Sequence, residues 1–387
     1  ASALADQPGV QYAAPNPIAR AAGAFVPNDP GRGGLRNWQR VQWNFLADAG
    51  INAPEAWSNL IKLRRYGGRG VTVAVLDTGV AYANSGRFRR SPDFSAGQFV
   101  RGYDFVSHDP YPIDQNGHGT FVAGVIAERT NNGLGVTGLA YGAKVMPVRV
   151  LDSEGLGDAV TIAQGIRWAA QRGAKVINIS EVSCMPANKI VDQRALGAAI
   201  RYAAVDKDVV IVAAAGNLRG PDSDCKQNPL SNPLTPDDPR NWAGVTTVVT
   251  PAWFSDYVLT VGAVNAAGNP LPDLSIAGPW VGIAAPGTDV MSLSPRDAGL
   301  INAEENREQQ LVAPAGTSFS AAIRATFASA VFVAAICRST PGLSSPSAVE
   351  ARHEGHRGTR RVDRSAAPAR TSPSPPPGAR RARRLRS

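Results

Sequence analysis

Short runs dominated by apolar and β-branched residues recur at Val71–Leu76, Lys144–Val150, Val176–Ile179 and Val209–Ala214. Their apolar positions are continuous rather than alternating, the pattern of strands buried on both faces of a parallel sheet. Between them, His118–Glu128, Asp158–Arg172 and Arg194–Ala204 carry apolar residues at helical spacing. Strand, helix and strand repeating in this way predict an α/β fold with a doubly wound parallel sheet. Ligands of such sheets bind beyond the carboxyl ends of the strands. Asp77 and Asn217 both fall at such ends.

The pattern bounds three regions. Residues 25–338 carry the strand and helix runs. Residues 339–387 change to Ser, Pro, Arg and Gly, with Pro-Ser-Pro-Pro-Pro and Arg-Arg-Ala-Arg-Arg runs, and are expected to be a disordered tail. Residues 1–24 read as a helix end, a Pro-Gly turn and a short strand, without the basic start and long apolar run of a secretory signal.

Of the 387 residues, 43% are apolar, enough for a sizeable core. The formal net charge of +9 reads differently once it is located. Residues 351–387 hold eleven Arg against Glu354 and Asp363, so the whole excess lies in the tail and residues 1–350 are neutral. No aromatic residue interleaves with those arginines, so no nucleic-acid partner is expected. The most apolar stretch, Phe327–Cys337, is about half the length of a membrane span, so no transmembrane segment is expected in this chain. Three cysteines, Cys184, Cys225 and Cys337, fit one pair and one remainder. Cys184 and Cys225 flank the strand and loop that carry Asn217, which predicts a bridge closing that loop in an oxidising compartment. Three buried free thiols are the alternative.

Candidate chemistry lies in three segments in order: Val-Ala-Val-Leu-Asp-Thr-Gly with Asp77, Asn-Gly-His-Gly-Thr with His118, and Gly-Thr-Ser-Phe-Ser with Ser318. Asp77 ends a buried strand, where its carboxylate can hold an imidazole tautomer. His118 lies between two glycines that let its ring face a cleft. Ser318 opens a helix, whose N-terminal dipole favours developing negative charge. Asn217, in Ala-Ala-Ala-Gly-Asn, supplies an amide that pairs with the Ser318 N–H as an oxyanion hole. An aspartic-protease reading of Asp-Thr-Gly needs a second copy, and none occurs. His108, in Ser-His-Asp-Pro, is the alternative histidine, in surface-loop surroundings; His353 and His356 lie in the tail.

The ordered Asp, His and Ser, with these flanks, resemble the subtilase (S8) family of serine endopeptidases over about residues 25–320. Phe-Val-Pro-Asn-Asp-Pro, Tyr-Asp-Phe-Val and Thr-Asn-Asn-Gly-Leu-Gly-Val are similar to thermitase-type enzymes. Ile-Ser-Glu-Val-Ser-Cys-Met-Pro, Pro-Ala-Trp-Phe-Ser-Asp-Tyr-Val-Leu-Thr-Val-Gly and Ala-Gly-Pro-Trp-Val resemble mycosins, the subtilases of type VII secretion systems. The resemblance implies a subtilisin-like fold and hydrolysis of peptide bonds through an acyl-enzyme. It implies a polypeptide substrate added as a strand along Ser180, Glu181 and Val182. Where most of the family has Ser-Leu-Gly, Glu181 and Val182 narrow the cleft and bring a carboxylate to it, which implies restricted specificity.

The same resemblance implies that residues 1–24 are the remnant of an inhibitory propeptide, and it implies a secreted or cell-envelope setting with a type VII secretion complex as partner. No cofactor is required for the chemistry. A structural calcium is implied at Asp29, Asp93 and Asn132 with the carbonyls of Thr130, Leu134 and Val136, in oxygen-rich loops that suit this ion. A second, thinner calcium set involves Asp104 and Asp109, with Ser107 between them. One departure weakens the match. After Ser318 the family continues into a Pro-containing apolar helix, whereas this chain reads Ser320-Ala321-Ala322-Ile323-Arg324, with an altered C-terminal end. A catalytically inactive scaffold or a frameshifted fragment is therefore the alternative reading.

Overall fold

A computed structural model describes residues 25–31, 37–47, 50–86, 88–189, 193–218, 224–229, 242–293, 304–305, 311–312, 316–323 and 325. All lie in Ala1–Pro341, one of two units into which the chain divides, the other being Gly342–Ser387. The expected propeptide remnant, the tail, Arg324 and Cys337 fall outside the described residues.

Strand β1 (Thr72–Asp77) is buried on both faces. Side chains alternate across a strand, so Val73 and Val75 pack with Phe121, Val125 and Ile323 on one face. Ala74 and Leu76 pack with Val148, Ile166, Ile177 and Ile211 on the other. Each fully buried Val, Leu or Ile side chain contributes ~1.5–3 kcal/mol, and that is why the run is continuous in sequence.

Around β1 stand β2 (Tyr103–Asp104), β3 (Lys144–Arg149), β4 (Val176–Ile179), β6 (Val210–Ala214), β8 (Val258–Val264) and β9 (Val281–Pro286). The order is β2-β3-β1-β4-β6-β8-β9, and every neighbouring pair is parallel. Helices α1 (Ala53–Lys62) and α2 (His118–Ala127) cover one face together with a helical run over residues 317–323. Helices α3 (Ala159–Gln171) and α4 (Arg194–Arg201) cover the other. The doubly wound sheet expected from the pattern is the observed one. Strand order reverses beside β1, with β3 on one side and β4 on the other, which opens a crevice beyond their carboxyl ends.

Two antiparallel pairs flank the sheet: β5 (Ser183–Pro186) with β7 (Thr247–Thr250), and β10 (Glu304–Glu305) with β11 (Leu311–Val312). A disulfide joins Cys184 of β5 to Cys225, with 5.1 Å between Cα atoms. It sits in a small cluster with Val249, Ile276 and Trp280. The last helical run expected, to Ala204, ends earlier as regular α-helix: beyond Arg201 it widens into a π turn over Tyr202–Asp206 that buries Ala203. No helix among the described residues is long and apolar enough to cross a membrane.

Candidate active site

Asp77 ends β1 with its side chain fully buried. Its Oδ1 accepts the backbone N–H of Thr78 at 2.8 Å and lies 2.7 Å from His118 Nδ1. His118 is the first residue of α2, after Gly117 at φ 122°. The helix start reaches β1 only because residue 119 is glycine: a Cβ there would lie 2.1 Å from the Gly79 carbonyl oxygen.

A residue absent from the sequence reading holds this loop. Asp114 is buried, and its carboxylate accepts from Thr78 Oγ1, the N–H groups of Asn116, Gly117 and Thr120, and Thr120 Oγ1, at 2.5–2.9 Å. Burial pushes its carboxyl upward, against the pull of these hydrogen bonds. Thr78 Oγ1 in turn accepts Gly119 N–H at 3.0 Å. Asp77, His118 and the loop between them thus form one polar frame. The only sequence signal for Asp114 is its position two residues before Asn-Gly, a turn-forming context.

Ser318 stands at the start of the 317–323 run. Its Oγ donates to the Ser180 carbonyl at 2.7 Å, Ser180 Oγ donates back to the Ser318 carbonyl at 3.2 Å, and Asn178 Nδ2 donates to Ser180 Oγ at 2.7 Å. The neighbouring Phe319 ring packs 5.9 Å from the His118 ring and 4.6 Å from Phe121. Asn217, just beyond β6, accepts Thr317 N–H and Thr317 Oγ1 through its Oδ1, both at 2.9 Å. Its Nδ2 makes no hydrogen bond among the described residues, and a Cβ on Gly316 would approach it to 3.1 Å. Asn217 thus holds the helix start that carries Ser318, and Phe319 brings the same start against the His118 ring that Asp77 contacts.

The run behind Ser318 is packed. Ala321, Ala322, Ile323 and Ala325 are all fully buried in the core that contains Phe121 and Val125. The supporting core that the altered sequence put in doubt is present over these residues.

Ser180, Glu181 and Val182 follow β4 at the crevice. Glu181, Val182, Leu156 and Gly157 line a cavity of about 430 Å³. Both Glu181 carboxyl oxygens are closed off from solvent without a hydrogen-bond partner among the described residues. Burial first, and the Asp77 charge second, push this carboxyl well above the usual range; the N–H groups of Glu181 and Ser180 oppose the rise without reaching bonding geometry. Asp77 Oδ2 is likewise buried and unpartnered among the described residues.

Asp29, Asp93 and Asn132 are also brought together. Asp29 accepts the N–H groups of Asn131 and Asn132 at 2.8 and 3.0 Å, and Asn132 Nδ2 donates to Asp93 Oδ1 at 2.7 Å. Beside them Glu128, not identified from sequence, is fully buried. Asp93 Oδ2 and both Glu128 oxygens have no partner among the described residues. Burial raises Asp93 to about 7 and Glu128 well above its ordinary value, each in the field of its acidic neighbours. Unpartnered buried oxygens in oxygen-rich loops fit a hard cation. No set of three His, Cys, Asp or Glu among the described residues is arranged as a metal cage, so a cation here would draw on two carboxylates and backbone carbonyls. At the second candidate set a cation is already supplied: Arg149 Nη1 pairs with buried Asp104 at 2.9 Å.

Comparison with known proteins gives the same picture. The Subtilase family model matches residues 68–342. The chain is 68% identical to mycosin-5 of Mycobacterium tuberculosis (strain ATCC 25618 / H37Rv) over 163 residues, 42% of this chain and 28% of that protein. It is 42% identical to mycosin-3 of the same strain over 330 residues, 80% of this chain and 66% of that protein. The chain therefore spans less than two thirds of either relative. Among solved structures it is similar to the periplasmic assembly from the ESX-5 inner membrane complex, at TM-score 0.61 and 45% identity, covering 81% of this chain and 78% of that one.

Proposed function

The chain belongs to the subtilase family, and from that premise we propose that it is a serine endopeptidase. The observation that carries this reading is the 2.7 Å contact between Asp77 and His118 beside a helix start that holds Ser318. Ser318 Oγ is the nucleophile and His118 the base that takes its proton. Asp77 holds the imidazole with Nδ1–H directed inward and stabilises the imidazolium that forms. Negative charge on the substrate carbonyl oxygen is met by Asn217 Nδ2 and the Ser318 N–H at the helix start. His118 returns the proton to the leaving amine, and water then attacks the acyl-enzyme by the same route. The chain contributes to the chemistry through these three side chains, the Asn217 amide and the Ser318 backbone N–H.

The substrate is a polypeptide laid along Ser180–Val182 as an added strand. The adjoining cavity favours restricted specificity: Asp158 and Asp224 are in its wall, and among the described residues that line it there is no Lys or Arg. Such a wall favours a cationic side chain near the scissile bond. Asp29 and Asp93, with Asn132 and loop carbonyls, are the residues that would hold a calcium, whose contribution is to the stability of the N-terminal loops and not to the reaction.

By likeness to proteins of an inner membrane secretion complex, the setting is the cell envelope and the partner a type VII secretion complex. The packed core behind Ser318 argues against the inactive-scaffold reading. A fluorophosphonate probe tests the proposal directly. Labelling of the full chain that disappears in Ser318→Ala supports it, and folded protein that takes no label overturns it.

A further inference from the structure

Arg149 ends β3, between the strand of Asp77 and the strand that leads into the loop before His118. In the parallel register it stands opposite Asp77 of β1 on one side and Asp104 of β2 on the other. Its backbone and its side chain serve different neighbours. Phe105 N–H donates to the Arg149 carbonyl at 2.8 Å, and the N–H groups of the next two residues, Val150 and Leu151, donate to the Asp77 carbonyl at 2.9 and 3.2 Å. The guanidinium is almost wholly buried, and its Nη1 donates to Asp104 Oδ2 at 2.9 Å and to Ser107 Oγ at 3.3 Å.

The loop that Arg149 reaches, residues 104–117, runs from the end of β2 to the helix start that carries His118. Packing does little for its first half. Val106, Ser107, His108, Pro110 and Tyr111 are exposed, and His108 takes a left-handed backbone at φ 57°, an unfavourable conformation for a residue with a Cβ. What closes this half is Asp104. Its Oδ1 accepts the N–H groups of Val106 and Ser107, both at 2.8 Å, and its backbone exchanges hydrogen bonds with Asp109 at 2.8 and 3.1 Å. With Oδ2 on Arg149, both carboxylate oxygens are engaged and the charge is met, so the thinner calcium set at Asp104 and Asp109 does not fit. The second half is buried again at Pro112 and Ile113, where Val80 N–H donates to the Pro112 carbonyl at 3.0 Å, and it passes through the Asp114 hub to His118.

Stability alone does not account for the buried pair. Taking two charges out of water is costly, an apolar pair of similar size often serves a fold as well or better, and Arg149 Nε is left buried without a partner among the described residues. A charge-assisted hydrogen bond does fix position. We propose that Arg149 is a positioning residue for His118: its guanidinium is a built-in cation that holds the 104–117 loop, in place of a bound metal ion, and so sets how His118 meets Asp77. The strand end that contains Arg149 holds the Asp77 carbonyl, while the Arg149 side chain holds the loop that delivers its partner. The proposal rests on the serine-endopeptidase reading and adds a residue to it outside the triad and the oxyanion hole.

The test follows the full chain, well below its unfolding temperature, through two readouts. One is the rate of fluorophosphonate labelling, which needs His118 as base. The other is the far-downfield proton resonance of His118 Nδ1–H bonded to Asp77, which reports that contact separately from global stability. Arg149→Met is expected to slow labelling about tenfold or more, as displacement of a catalytic group does, and to broaden or remove the resonance. The double variant Arg149→Met, Asp104→Asn leaves no unpaired buried charge, so it keeps the test valid if the single variant fails to fold. It is expected to label as slowly.

Folded protein of either variant that labels at the native rate overturns the proposal. So does slow labelling with an unchanged resonance, which places the effect elsewhere than at His118. Chelator is expected to leave the native rate and resonance as they are; a native rate that calcium raises assigns the loop to a bound ion and also overturns it. Absence of labelling in the native chain marks failure of the protease reading. Native labelling that neither variant changes marks failure of the positioning role alone.

Discussion

Ser318 and Ser180 hold each other reciprocally, Oγ of each donating to the backbone carbonyl of the other at 2.7 and 3.2 Å. The pair ties the nucleophile's helix to the end of β4, where the substrate strand lies in the proposed mechanism. The hydroxyl of Ser180 is itself held by Asn178. Ser180→Ala is expected to remove two hydrogen bonds, lowering stability by ~1–2 kcal/mol. Because Ser318 Oγ reaches the Ser180 backbone and not its side chain, fluorophosphonate labelling is expected to persist at a reduced rate. Denaturant unfolding and labelling kinetics on the same variant check both. Complete loss of labelling in a folded variant would show that the hydroxyl, not the carbonyl, is what Ser318 depends on.

Asn217 divides its amide between two tasks. Oδ1 accepts from Thr317, while in the proposed mechanism Nδ2 meets the developing oxyanion. Asn217→Ala is expected to lower kcat by ~10²–10³ with KM little changed, a magnitude that comes from subtilisin itself. Asn217→Asp separates the tasks, since it keeps an acceptor for Thr317 and loses the donor. An aspartate variant as slow as the alanine one, with near-native unfolding behaviour, supports the oxyanion role. Near-normal kcat in Asn217→Asp would remove it.

Asp114 is the hub of the loop that presents His118, accepting from Thr78, Asn116, Gly117 and Thr120. Asp114→Ala strands several buried donors at once, each costing ~1–3 kcal/mol, so a loss of at least ~3 kcal/mol is expected by chemical denaturation. Asp114→Asn keeps one acceptor oxygen and is expected to lose less. If the alanine variant is as stable as the native chain, the loop has another support.

Burial explains what could be read in advance. β1 and β4 are legible because strands buried on both faces leave uninterrupted apolar runs, and Asp77, His118 and Ser318 because close approach of backbones demands glycines beside them. β5 and β7 are not legible: they are short, partly polar, and pair across a large sequence separation. Asp114 and Glu128 show a charge in the sequence but not its burial, since packing from distant segments decides which carboxylates lose water. Glu181 was legible as a cleft residue, yet its carboxyl is sealed beneath the surface rather than displayed on it.

The acids around Asn132 predict a linked response to pH and calcium. Asp93 is raised to about 7 in the folded chain, and Glu128 well above its ordinary range. Unfolded, both titrate near ~4. As pH rises from about 4 to about 7, the unfolded chain releases protons that the folded chain keeps, so stability falls with pH. In chelator, calorimetry is expected to give a lower Tm at about pH 8 than at about pH 5. Calcium is expected to restore it by several degrees at the higher pH and to act little at the lower. Asp93→Asn is expected to flatten both dependences. A native chain whose Tm at high pH ignores calcium has no cation site there.

Glu181 combines two costs in one side chain, an unpartnered buried carboxyl and the nearby charge of Asp77. Its raised carboxyl has the same sign of effect, destabilising as pH climbs above the unfolded value. Glu181→Gln keeps the volume and removes the ionisation, so it is expected to unfold less readily than the native chain at high pH and equally at low pH. Glu181→Leu removes the polar group altogether and leaves an apolar wall beside Val182 and Leu156. That variant is expected to accept a broader range of apolar side chains near the scissile bond. Peptide-library profiling of native and Glu181→Leu protein compares them. An unchanged profile in a variant that still takes the fluorophosphonate label would assign the restriction to Asp158 and Asp224 at the cavity wall, leaving Glu181 as a structural carboxyl.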